Sequence, residues 1–125
     1  MIKCYLASPY TNGNKEENVN LQIDAAEELL HRGYAPYTPL LSHFQHLRHP
    51  RPEQDWYKLD NEFLSFCDVF IRLRPIKNGK EIESTGADNE EKLARKLKIP
   101  VFSFNTVEEM CCYLDETPFE NLNEV

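Results

Sequence analysis

No stretch of this 125-residue chain approaches the ~20 consecutive apolar residues that a membrane-spanning helix needs. Cations are scarce: 14 Lys and Arg stand against 21 Asp and Glu, for a net charge of −7. With no Lys/Arg-rich stripe, that balance argues against binding nucleic acid through its phosphate backbone. It leaves room for a small anion, which a helix N-terminus and a few hydroxyls can hold. Metal-type cysteine spacing is also missing. Cys4, Cys67, Cys111 and Cys112 include no zinc or redox pair, and the adjacent Cys111 and Cys112 are poorly placed for a disulfide. All four read as reduced, packed thiols of a cytoplasmic protein. Met1 to Ala7 reads as a strand rather than a secretory leader, and there are no repeats or low-complexity tracts.

What is present alternates between strand and helix. Ile2–Ala7 is a short apolar run, followed by the turn-like Ser8-Pro9-Tyr10-Thr11-Asn12-Gly13. Asn14, with Glu17 three residues on, resembles a capping box before a long helix. Val19, Ile23, Ala26 and Leu30, with Ala25 and Leu29 beside them, form its expected buried stripe, and Gly33 its stop. Tyr34–Thr38 is a weaker strand. Residues 39–54, rich in proline and histidine, read as a long loop with a short helix. A helix over 55–67, a strand over 68–73, a polar connection over 75–83, a helix over 86–97 and a strand over 99–104 follow. The last helix, 106–114, has Thr106 as N-cap. Alternating βαβ units predict one α/β domain over 1–115: a Rossmann-like (flavodoxin-like) three-layer α/β/α fold with a mostly parallel sheet of four or five strands. Residues 116–125 are expected to be a flexible tail. Ligands of such sheets bind beyond the carboxyl ends of the strands, where the strand order switches.

Two carboxylates break the patterns around them. At about 100° per residue, Ala87, Leu93, Ala94 and Leu97 share one arc of their helix, and Glu90 projects from its middle. In the preceding helix Trp56, Leu59, Phe63, Phe66 and Cys67 share a face, and Asp60 falls within it. Burying a carboxylate costs several kcal/mol unless it is paired or hydrogen-bonded. Each is therefore an ion-pair or capping partner, or a reagent in a pocket. Two in different environments can divide labour, one ionised and one handling a proton. Ser84, Thr85 and Gly86 open the Glu90 helix, where a hydroxyl and free amides suit a phosphate or sugar oxygen. His43, His46 and His49 sit in a loop without the rigidity a metal site needs, so neither metal nor cofactor is expected. Trp56, Tyr57, Tyr10 and Phe44 offer flat surfaces for a planar base.

Together Tyr5-Leu6-Ala7-Ser8-Pro9-Tyr10, Leu59-Asp60-Asn61-Glu62-Phe63-Leu64, Cys67-Asp68-Val69, and Ser84-Thr85-Gly86-Ala87-Asp88-Asn89-Glu90 with Ala94 four residues later resemble the nucleoside 2-deoxyribosyltransferase superfamily. That superfamily includes the 2′-deoxynucleoside 5′-phosphate N-hydrolases and their small phage and bacterial relatives. The resemblance implies that Glu90 is the nucleophile at the anomeric carbon, that Asp60 contacts the sugar hydroxyl or the reacting centre, and that Tyr5 orients the glutamate. Expected binding residues are Ser8, Pro9 and Tyr10, then His43 and Trp56, then Ser84, Gly86 and Asp88. Transferases of this superfamily carry aspartate at the place of Ser84 and nucleotide hydrolases carry serine, which implies a nucleotide substrate and water as acceptor. The Gly-Ser-x-Arg turn of those hydrolases is here Ala7-Ser8-Pro9-Tyr10, without the arginine. The resemblance also implies a homodimer or higher oligomer.

The leading expectation is a hydrolase that cleaves the N-glycosidic bond of a (deoxy)nucleoside 5′-monophosphate. Glu90 would stabilise or capture the oxocarbenium-like centre. The leaving base needs a proton, for which Asp88, the histidine loop and the backbone all remain open. Base exchange between nucleosides, a nucleotide-sensing module without turnover, and cleavage of a nicotinamide dinucleotide are the alternatives.

Overall fold

The computed structural model describes residues 1–119. Its elements are β1 (Lys3–Ala7), α1 (Lys15–His31), β2 (Ala35–Tyr37), a 3₁₀ turn (Pro39–Leu41), α2 (Ser42–Arg48), α3 (Glu53–Leu64), β3 (Val69–Leu73), β4 (Ile76–Lys77), β5 (Lys80–Glu81), α4 (Thr85–Lys96), β6 (Val101–Phe104) and α5 (Val107–Glu116). The main sheet has four strands in the order β2-β1-β3-β6, all parallel. The flavodoxin-like three-layer expectation is borne out. The order reverses between β1 and β3, so the crevice lies beyond their carboxyl ends.

Strand alternation sorts the two layers. Cys4 and Leu6 of β1, with Val69, Ile71 and Leu73 of β3, pack with Ala25, Ala26 and Leu29 of α1 and Met110 and Leu114 of α5. Tyr5 and Ala7, with Phe70, face the other way and pack with Leu64 of α3 and Ala87 and Ala94 of α4. The residues between core positions on β1 therefore meet α3 and α4.

The helix ends follow local chemistry. Asn14, Ser84 and Thr106 cap α1, α4 and α5 by accepting from the amides of Glu17, Ala87 and Glu109. Gly33, at φ +86°, closes α1: its amide donates to Leu30 and the amide of Tyr34 to Leu29.

Several expectations are corrected. The buried stripe of α1 is turned toward Asn18, Val19, Gln22, Ala25, Ala26 and Leu29, leaving Leu30 53 % exposed. Polar partners explain the rotation. Asn18 Nδ2 donates to the carbonyls of Tyr10 and Asn12, and Gln22 bridges Ser8 Oγ at 2.8 Å and the amide of Leu40 at 2.9 Å. On α3 only Asp60 and Leu64 are buried; Leu59 and Phe63, and Phe66 just beyond the helix, are exposed. Leu97, the C-cap of α4, is exposed as well. The polar connection is a two-stranded hairpin, β4 against β5, turned through Asn78 and Gly79 at φ 54° and 76°; both residue types tolerate positive φ. The long loop is mostly the 3₁₀ turn and α2. Packing runs beyond the expected tail boundary: α5 ends at Glu116, and Phe119 is buried against Tyr34 and Phe102, because a ring this apolar gains more from the core than from water. The rest of the expected tail, 120–125, lies outside the described residues.

Gln22 ties the β1–α1 turn to the chain after β2 from within the protein. Replacing Gln22 with Leu strands the amide of Leu40 and removes the donor to Ser8, so stability should fall by about 1–3 kcal/mol in urea unfolding.

Candidate active site

Beyond the carboxyl ends of β1 and β2, beside the start of α4, lies a cavity of about 460 Å³, within the range of small-molecule sites. Asp60 of α3 and Glu90 of α4 both line it. Each meets a phenol rising from the sheet. Tyr5 Oη donates to Glu90 Oε2, and Tyr37 Oη donates to Asp60 Oδ1 at 3.0 Å. Tyr5 and Tyr37 are partners in the β1–β2 register, with rings stacked at 5.5 Å. The stack continues to Phe70 on one side (5.6 Å) and Phe63 on the other (4.8 Å). Four aromatic rings thus fix two hydroxyls side by side, and the hydroxyls fix two carboxylates.

Withdrawal from water sets the protonation of this group. Burial pushes the Glu90 carboxyl up to about 8; the Tyr5 hydrogen bond opposes the shift and the charge of Asp60 adds to it. Burial likewise raises Asp60 to about 6, with the Tyr37 hydrogen bond opposing. Both phenols are driven well above their ordinary range, by burial first and then by the carboxylates beside them, so they remain donors. Near neutral pH the two carboxyls together hold about one proton.

Of the expected binding residues, Ser8, Tyr10, His43, Trp56, Ser84 and Gly86 all line the cavity. Tyr10 Oη lies 2.6 Å from His43 Nδ1. Ser84 Oγ accepts the amide of Ala87 at 3.1 Å, which leaves its own proton for a ligand. At Gly86 a Cβ would stand 3.3 Å from Tyr57 Oη, so the missing side chain lets Tyr57 close in. Two residues are not brought to the cavity lining. Pro9 is buried behind the turn. Asp88 turns toward β3, where its Oδ1 lies 2.9 Å from Arg72 Nη2. Arg72 is 2 % exposed and also reaches Glu91 at 3.4 Å, so a buried guanidinium competes for Asp88.

Sequence reasoning missed Tyr37, Gln22 and Arg51. Arg51 is the one Lys or Arg among the described lining residues and pairs with Asp55 at 3.2 Å. Gln22 carried a readable signal, a polar residue three places from both Val19 and Ala25 on the buried face. Tyr37 carried none, because its role follows from strand register. Among the described residues no cluster of His, Cys, Asp and Glu is arranged for a metal, and no helix is long and apolar enough to cross a membrane.

The family model described as "Domain of unknown function (DUF7768)" matches residues 2–104, a span that includes every cavity residue named above. The chain belongs to that family. Among solved structures, the DUF7768 chain is similar to a 2-deoxyribosyltransferase from the psychrotolerant bacterium Bacillus psychrosaccharolyticus. The TM-score is 0.66 at 19 % identity, covering 96 % of this chain and 95 % of that one. At that identity the likeness is one of fold, and it spans nearly the whole DUF7768 chain. No curated protein matches in sequence.

A carboxyl raised by burial makes a pH-dependent contribution to stability. The favourable contribution of Glu90 is fully present below its ordinary 4.5 and is lost as pH rises through about 8. Replacing Glu90 with Gln, which still accepts from Tyr5, should stabilise the fold at about pH 8.5 by about 1–3 kcal/mol. The gain should fade toward about pH 5, as read from urea unfolding across that range.

Proposed function

We propose that this protein cleaves the N-glycosidic bond of a nucleoside 5′-monophosphate, with Glu90 as nucleophile. The observation that carries the reading is the pair of cavity carboxyls held by separate phenols and raised to about 8 and about 6. Ionised Glu90 attacks the anomeric carbon while the carbon–nitrogen bond breaks, and the bonding pair leaves with the base, which takes up a proton from solvent, returned when water hydrolyses the ester. Water then attacks the glycosyl ester, releasing the sugar phosphate and returning the carboxylate. With Glu90 ionised, the proton the pair holds rests on Asp60, which orients the sugar. Tyr5 holds Glu90 in line.

The choice of a nucleotide rests on the two groups that suit a phosphate. One is the N-terminus of α4 with the Ser84 hydroxyl; the other is Arg51, a cation from a different element than the missing arginine of the β1–α1 turn. Glu53 and Glu83 also line the cavity, so a free polyanion suits it less than one monophosphate attached to a neutral nucleoside.

An HPLC panel of nucleosides and 5′-monophosphates, with and without a second free base, tests the reading. Base release from a monophosphate should fall at least about a thousandfold in Glu90→Gln. In Arg51→Ala the KM for monophosphates should rise about tenfold while that for nucleosides holds. Product formed only with an added base would mean base exchange. Ligand-induced thermal stabilisation without any release would mean a sensing module.

We further propose a homodimer, supported by the exposed Phe44 and Leu47 of α2, Leu59 and Phe63 of α3, and Phe66 just after α3. Light scattering should give twice the 14.7 kDa monomer mass, and Phe66→Ser should shift it toward monomer.

A further inference from the structure

The cavity holds two histidines whose Nδ1 atoms are engaged differently. His46 Nδ1 lies 3.0 Å from Trp56 Nε1 and 3.2 Å from the main-chain nitrogen of Arg51. An indole N–H and a backbone amide are donors only. Nδ1 must therefore accept, and the ring proton sits on Nε2; an imidazolium would turn an N–H against two other N–H groups. Nε2 has no hydrogen-bond partner among the described residues, and the ring lines the same cavity as Glu90 and Asp60. His43 is not held in this way, because its Nδ1 meets the hydroxyl of Tyr10, which both donates and accepts.

Three pieces of chain build this arrangement: His46 on α2, Arg51 just after it, and Trp56 in the first turns of α3, edge-on to the imidazole at 6.0 Å and 75°. Around it the cavity is rich in acceptors, with the carboxylates of Glu53, Asp60, Glu83 and Glu90. A sugar hydroxyl can satisfy those acceptors by donating. A nucleobase ring nitrogen or carbonyl offers only lone pairs in its plane and needs an N–H opposite it. We propose that His46 is the base-recognition residue: a fixed Nε2–H donor to an in-plane acceptor of the nucleobase. In cleavage the same bond stabilises the electron pair that leaves with the base. The proposal rests on the nucleoside reading for its ligand and not on turnover.

Long-range proton–nitrogen NMR of histidine-labelled protein tests it, with His46 signals assigned by their loss in His46→Gln. The probes are adenine, hypoxanthine, cytosine and uracil and their deoxynucleoside 5′-monophosphates. The expected spectrum shows the Nε2–H tautomer without ligand, and a shift of Nε2 when a base or monophosphate binds. In Trp56→Phe, which removes one of the two donors, the tautomers should mix. By calorimetry His46→Gln, which keeps an N–H, should stay within about threefold of the parent affinity, and His46→Leu should lose at least about tenfold. An Nδ1–H tautomer in the parent, or binding that leaves Nε2 unmoved, overturns the proposal even where base release is observed. An Nε2 shift without release sustains it and ends the cleavage reading. A panel in which no probe binds overturns both.

Discussion

Two phenol–carboxylate hydrogen bonds across one interface hold the site together, Tyr5 to Glu90 and Tyr37 to Asp60. A carboxylate taken out of water is costly unless a donor meets it. Here the donors stand on neighbouring strands of a parallel sheet, where register puts Tyr5 beside Tyr37 and stacking locks their rings. The acceptors hang from α3 and α4. Neither carboxylate finds its donor without the sheet.

Charge on the far side of α4 enforces the same rotation. Arg72, buried at the end of β3, pairs with Asp88 and Glu91, and Arg74 reaches Glu91 at 3.0 Å. Glu91 lies about 100° around the helix from Glu90. Anchoring Glu91 to the arginines therefore aims Glu90 at Tyr5. Two adjacent glutamates with opposite fates, one in an arginine cluster and one against a phenol, define the orientation of the helix. The Arg72 charge also draws the Glu90 carboxyl down, but burial outweighs it and the carboxyl still rises to about 8.

On the opposite wall the α2–α3 segment is held by polar contacts as well as by Leu64 and the Phe63–Tyr37 stack. Gln22 pins the amide of Leu40, Trp56 and the Arg51 amide pin His46, and much of the apolar surface of α2 and α3 stays outside.

The βαβ alternation was legible because parallel strands and amphipathic helices have different hydrophobic periods, and the caps at Asn14, Ser84 and Thr106 because capping is local chemistry. Glu90 and Asp60 stood out for the same reason, as polar residues on apolar arcs of about 100° per residue. That logic failed where much of an apolar arc stayed exposed, as at Leu59 and Phe63 of α3, or where polar groups were buried with partners, as with Asn18 and Gln22. The sequence by itself determined the order of the elements, their ends and which carboxylates point inward, since each depends on neighbours within about a turn. Tertiary structure alone decided that Tyr37 meets Asp60, that Asp88 turns to Arg72, that Arg51 lines the cavity, and that His46 Nδ1 meets two N–H donors. Those pairings join residues from separate elements or lie in a connection without a periodic pattern, and only packing brings them within hydrogen-bond distance.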